Sequence, residues 1–207
     1  MSQESEPEYV PREYERESGC DLRAVIKEIL HHNGGRYAVE VQKLCFHADL
    51  YAVEQYGRRV TDVEYGAYMY GPHAEEISEE LEAAESASWM ETTAAMRKGR
   101  PDKRYNSPDP SETLADGCRR IIRKTVDNLT HLSTSDLTNA SRRRKIYRLT
   151  DGGDPLDFVK YRRELEREEL TPDLADWGPP VDRDELSEQE FKNKNENIYK
   201  DLLPLNL

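Results

Sequence analysis

Val41-Gln42-Lys43-Leu44-Cys45-Phe46-His47-Ala48-Asp49-Leu50-Tyr51-Ala52-Val53-Glu54-Gln55-Tyr56-Gly57 decides how the rest of the chain is read. Val41, Leu44, Cys45, Ala48, Tyr51 and Ala52 recur at helical spacing, and Gly57 is a helix stop, so a helix is predicted from about Tyr37 to Tyr56. Immediately downstream the period changes. Val63, Tyr65, Ala67 and Met69 alternate with Glu64, Gly66, Tyr68 and Tyr70, the pattern of a short strand. Gly71-Pro72 then forms a corner, with Pro72 expected at the first position of an acidic helix where its missing N–H is harmless. That helix carries Ala74, Ile77, Leu81 and Ala84 inward and glutamates at 75, 76, 79, 80, 82 and 85 mostly outward.

Outward from this stretch the chain reads mainly as helix. Asp21 is placed to cap a helix with an apolar stripe of Leu22, Val25, Ile26, Ile29 and Leu30, ended by Asn33-Gly34-Gly35. Beyond Leu81, Trp89–Met96 and Lys103–Tyr105 flank Gly99 as a hairpin in which Pro101 belongs at an edge. A fourth helix is predicted from about Glu112 to Leu129, a short one from Ser135 to Ala140, and a last one from Pro155 to about Leu170. Asp176-Trp177-Gly178-Pro179-Pro180 breaks regular structure. The organisation expected is an acidic N-terminal tail over residues 1–20, a compact helical domain over 21–170, and a polar C-terminal tail over 171–207 bearing a weak helix.

Several runs resemble the Panacea domain, the SocA-like antitoxin family of toxin–antitoxin systems. Val41 to Asp49 resembles that family's "LQKLLYFA" helix, and Gln55-Tyr56-Gly57-Arg58 its "YGRP" end. Glu64 to Pro72 resembles "EAWKYGPV", and Leu132 to Thr138 resembles "LSAWELSDLTH". These lie in the family's order over about residues 21–150. Arg59, His73 and Asn139 depart from the family's usual residues. The resemblance implies a mainly helical domain with a small β element that binds and neutralises a toxin protein, encoded by an adjacent gene. In one branch of the family the domain instead delivers its toxin to a host protease as an adaptor. On this reading the partner-binding candidates are Tyr68, Tyr70, Gly71, Pro72, His73, Asp136 and Asn139.

Composition bounds the class of partner. The formal charge is −12, with 26 Glu and 16 Asp against 10 Lys and 20 Arg, and mean hydropathy is −0.94. A phosphate backbone is repelled by such a charge at long range, which disfavours nucleic acid. Acid enrichment with few lysines suits a salt-rich cytoplasm, since at about 1 M salt the screening length is only about 3 Å. Three separated cysteines, Cys20, Cys45 and Cys118, do not suggest a disulfide framework and fit a reducing compartment. An acidic N-terminus without an apolar leader, and no run long enough to span a bilayer, lead to the expectation of a cytoplasmic protein.

The residues offer no activated nucleophile, phosphate loop or metal motif, so no enzyme, cofactor or metal site is expected. Cys45 and His47 are two apart on a helix and face different ways. His31 and His32 read as cations suited to a helix C-terminus. Asp151-Gly152-Gly153-Asp154 reads as a turn. Charge is unevenly distributed: residues 97–148 hold 14 basic and 6 acidic side chains, a net of +8 that leaves −20 elsewhere. Its candidates are Arg119, Arg123, Arg142, Arg143, Arg144 and Lys145. Three readings stand for this belt: neutralisation by the acidic third helix and tails, an acidic protein partner, or nucleic acid in an autoregulatory role.

Overall fold

A helix that is apolar along one stripe needs one partner layer, whereas a helix buried on every side must sit at the centre of a fold. The computed structural model, which describes residues 20–178 apart from Ser88, places the 38–56 helix in that second position. The elements in order are α1 (Leu22–His32), β1 (Arg36–Tyr37), α2 (Ala38–Tyr56), β2 (Gly66–Tyr68), β3 (Gly71–His73), α3 (Glu75–Ala87), β4 (Glu91–Arg97), β5 (Arg100–Asn106), α4 (Asp116–Leu129), α5 (Thr134–Arg143), α6 (Lys145–Arg148) and α7 (Phe158–Glu166). A 3-10 turn, Ala175–Trp177, ends the described chain. The architecture is mainly α with small antiparallel sheets, and α2 packs against α1, α3, α4, α5, α7 and β3.

Local chemistry accounts for the ends of the first two helices. The Asp21 carboxylate accepts from the Ala24 N–H at 3.1 Å, satisfying a donor that the first turn leaves over. Gly57 closes α2 at φ 70°, a conformation a side chain would strain. Every residue from Glu40 to Val53 is buried, so the predicted stripe of six residues is only part of the buried surface of α2. The additional faces carry Glu40, Gln42, Lys43, His47 and Asp49, polar groups that must find partners inside the protein.

Downstream the chain departs from its predicted course. Val63, Tyr65 and Ala67 are buried as the alternation requires, but Met69 is exposed because the chain reverses there. β2 and β3 form a hairpin pairing Gly66 with His73, Ala67 with Pro72 and Tyr68 with Gly71. Gly71 at φ 87° permits the reversal. Pro72 therefore lies in a strand, not at the start of a helix, and α3 begins at Glu75. The second hairpin forms as expected. β5 lies between β4 and β1, but β1 pairs only with Tyr105 and Arg104, so Pro101, opposite Met96, keeps one side unpaired.

Two further expectations are corrected. Cys20 and Cys118 are joined by a disulfide between the start of α1 and α4, and only Cys45, buried, is free. A separation of 98 residues along the chain carries no information about distance once α1 and α4 pack together. Residues 171–178, expected to begin a polar tail, fold back onto α2 with Leu174 and Trp177 buried. Glu54 holds them, accepting from the N–H groups of Asp173 at 2.9 Å and Leu174 at 2.8 Å and from the Tyr161 hydroxyl at 2.7 Å. The Tyr51 hydroxyl donates to the Gly178 carbonyl. The weak helix read beyond residue 180 lies outside the described residues, as does most of the acidic N-terminal stretch.

Asp49 fastens the chain between α2 and β2. It accepts from the N–H groups of Val60 and Thr61, at 2.8 and 2.7 Å, and from the hydroxyls of Thr61 and Tyr65, at 2.5 and 3.0 Å. Asp49→Ala leaves these donors buried and unmatched, and unfolding by denaturant should show a loss of about 3–5 kcal/mol. A loss below about 1 kcal/mol would contradict the arrangement. Thiol titration of the unfolded, unreduced protein should find one reactive cysteine per chain, and three would disprove the bond.

Candidate protein-binding surface

The β2–β3 hairpin ends in three large side chains that remain in water. Tyr68 is 53%, Met69 74% and Tyr70 71% exposed. Each side of the hairpin is fixed. On one, the Ala67 N–H donates to the Asp154 carbonyl and the Gly153 N–H to the Ala67 carbonyl, both at 2.9 Å. The Asp151–Asp154 turn thereby acts as an extra edge for β2. The Tyr147 hydroxyl, from α6, donates to the Tyr68 carbonyl at 2.6 Å. On the other side β3 packs against α5 and α2.

The hold from α2 comes from two adjacent residues of the opening motif. The Gln42 amide donates to the Ala74 carbonyl at 2.7 Å and accepts from the Ala74 N–H at 3.0 Å, so it pairs with the backbone as a neighbouring strand would. The same Nε2 lies 3.1 Å from the Ser78 hydroxyl. The Lys43 ammonium donates to the Pro72 carbonyl at 2.5 Å. Lys43 is buried, and burial pushes its pKa down to about 8. A side chain at position 71 would bring its Cβ within 3.4 Å of Lys43 Cε and Arg142 Cγ, so glycine is needed there for approach as well as for φ.

The residues selected from sequence separate into two groups. Tyr68 and Tyr70 are exposed at the tip, and Tyr65 is in the core, as alternation predicts. Gly71 and Pro72 are buried, so they position the hairpin and present little surface. His73 is partly buried with its ring 5.7 Å from that of Tyr68 in an edge-on arrangement. Burial, and then the nearby Lys43, lower its pKa. Asp136 is engaged at the start of α5, where its carboxylate accepts from the Ser133 hydroxyl at 2.6 Å and its N–H donates back at 3.2 Å. Asn139 is exposed on α5, the helix that also carries the exposed Arg142 and Arg143. Met69 and Leu149, 74% and 62% exposed, were not singled out from sequence. For Met69 the missed signal is its place at a hairpin turn, where alternation no longer applies.

The basic belt is divided by the fold. Arg119 donates to the Glu28 carboxylate and to the Ser111 carbonyl, both at 2.7 Å. Arg123 Nε is 2.8 Å from His32 Nε2 and 3.6 Å from Glu28 Oε1. Burial alone would raise the pKa of Glu28, but His32, Arg119 and the Ser111 N–H together bring it below the usual carboxylate range. Burial lowers the pKa of His32, against the cationic helix-end role read from sequence. Arg144 donates to His47 at 3.2 Å, and the N–H of Lys145 donates to the Asp173 carboxylate at 2.5 Å. The carboxylates that meet this belt are thus chiefly Glu28 on α1 and Asp173 near the C-terminal turn. Lys103, bonded to Glu85 at 2.7 Å, reaches the acidic α3.

Among the described residues no group of three or more metal-ligating side chains converges, and no helix is long and apolar enough to cross a membrane. A family model described as antitoxin SocA-like, Panacea domain, matches residues 41–146, an interval that begins in α2 and contains the hairpin and α5. No curated protein and no solved structure matches.

Lys43 has a pH signature. Its folded pKa lies below the value near 10.5 that it has when exposed, so the unfolded chain holds the proton more firmly. Between about pH 8 and 10.5 its contribution to stability therefore rises with pH, by about 1.4 kcal/mol per unit of separation. Stability of Lys43→Met, measured beside the parent across that range, should lack this rise. Parallel curves would contradict the buried ammonium.

Proposed function

The chain belongs to the antitoxin SocA-like, Panacea-domain family, and on that premise we propose that it neutralises a cognate toxin by direct contact through the Tyr68-Met69-Tyr70 tip. Helix α5, which packs against β3 and carries the exposed Asn139, Arg142 and Arg143, flanks the contact. The observation that carries this reading is the exposure of three consecutive large side chains on a hairpin whose backbone is anchored by Gln42, Lys43 and Tyr147. Tyrosine supplies a wide contact area at low conformational cost and is enriched where binding energy concentrates. A tip already held in shape avoids the ordering cost that weakens flexible contacts. The protein makes and breaks no bond of its own in this role.

The geometry gives less support to an operator-binding role. Arg119, Arg123, Arg144 and Lys145 are engaged with internal carboxylates, carbonyls and histidines. Two of the six belt candidates, Arg142 and Arg143, are exposed on α5, which packs against β3, and Arg142 lies beside Gly71. They offer an acidic patch on the toxin a complementary charge.

Co-expression with the product of an adjacent gene tests the proposal. The parent protein should restore growth, and the double variant Tyr68→Ala, Tyr70→Ala should not. Each substitution should weaken binding by about tenfold, or ~1.4 kcal/mol, while stability stays within about 0.5 kcal/mol. Undiminished rescue and affinity in the double variant would sink the proposal. A protease adaptor differs in one readout: it shortens the half-life of the toxin. Direct neutralisation leaves that half-life unchanged in a pulse-chase.

A further inference from the structure

Away from the hairpin, at the C-terminal end of α2, a concavity of about 370 Å³ opens between that helix end, the following loop and the first turn of α4. In a chain of net charge −12, three of its walls are arginines, Arg58, Arg59 and Arg120, and among the described residues that line it there is no carboxylate. Arg59 is held in place, donating to the Val63 carbonyl at 2.6 Å and lying 5.1 Å from the centre of the Phe158 ring. That bond engages one of the five N–H groups a guanidinium carries. Arg120 is exposed on α4.

The rest of the lining is apolar or aromatic. Ala52, Val60 and Ile121 contribute aliphatic surface, and Tyr56 stands beside them 48% exposed. Arg120 and Tyr56 are close enough for the guanidinium to oppose the rise that burial imposes on the phenol pKa. Gly117, in the first turn of α4, also lines the concavity, and a Cβ added there meets no atom within 4 Å. Peptide N–H groups at the start of a 14-residue helix add positive potential on this side. Asp116, at the same end of α4, is not one of the walls.

Guanidinium groups bind phosphate through paired N–H bonds, and a half-exposed tyrosine offers a flat face for stacking. A bare inorganic anion leaves the aliphatic and aromatic wall unused. The volume lies at the small-molecule end of the range for ligand sites. We propose that this concavity binds a phosphate monoester with a planar body, of the chemical class of a nucleoside monophosphate. The phosphate faces Arg58, Arg59 and Arg120, and the base lies on Tyr56. The site is distinct from the hairpin surface: Lys43 and Ala52 are separated by nine positions on α2, about 13 Å along its axis.

Calorimetric titration of the full chain at low ionic strength tests this, with AMP and UMP as ligands and adenosine and inorganic phosphate as the separate halves. One saturable site per chain is expected for at least one nucleotide, at least about tenfold tighter than for either half. Arg120→Glu should weaken that binding by about tenfold or more, since it reverses a phosphate-facing charge. Tyr56→Ala should weaken nucleotide binding and leave phosphate binding unaltered. Both positions are exposed, and unchanged melting temperatures will confirm intact folds. Absence of saturable binding by both nucleotides at millimolar concentration would overturn the proposal. Phosphate binding as tightly as the nucleotides, or an affinity unaltered by Arg120→Glu, would overturn it as well.

Discussion

Lys43 Nζ reaches the Pro72 carbonyl across the interior, beside Gln42 pairing with both backbone groups of Ala74. Such bonds are a consequence of enclosing α2 on every side. Buried polar groups without partners each cost about 1–3 kcal/mol, so a central helix carrying five of them is tolerable only when the surrounding chain comes to meet them. Each partner therefore fixes an element. Gln42 and Lys43 position the β3–α3 corner, Asp49 the loop before β2, and Glu40 the start of α5 through the Thr134 hydroxyl at 2.5 Å. His47 meets Arg144 from beyond α5, with its ring stacked 6.4 Å from Trp177. Glu54 fastens residues 173 and 174.

This arrangement couples the motif of α2 to the Tyr70-Gly71-Pro72 corner. Gln42 and Lys43 address the backbone of residues 72–74, so the corner takes its place from α2. The exposed tip is a by-product of that anchoring. Once Gly71 turns the chain and Pro72 is held, Met69 and Tyr70 occupy the reversal and have nowhere to be buried. A surface built this way is anchored to the core beneath it.

Legibility in the sequence followed the range of the interaction. The ends of α1 and α2 were readable because Asp21 and Gly57 act on their own neighbours. That Tyr65 and Tyr68 lie on opposite faces followed from alternation, which is also local. Pro72 was misplaced because proline favours a helix start but is also tolerated in an edge strand, and the partner that holds it there, Lys43, lies 29 positions away. The same limit hid the bond between Cys20 and Cys118 and the burial of Trp177. Net charge over residues 97–148 left three readings open, with the acidic third helix and tails as the internal partners. Tertiary packing instead turned Arg119 and Arg123 inward to a glutamate on the first helix. Of the proposed contact surface the tyrosines were legible. The structural part played by Gly71, Pro72 and Asp136 was not.

The central claim is that a preformed hairpin tip meets the toxin. Hydrogen exchange of the protein alone and in complex with the adjacent gene product addresses it directly. Amides of residues 66–74 should already exchange slowly in the free protein, and on complex formation further slowing should centre on Tyr68 to Gly71 and the neighbouring part of α5. Slowing confined to other elements, or a hairpin that exchanges freely until the partner binds, would contradict the account.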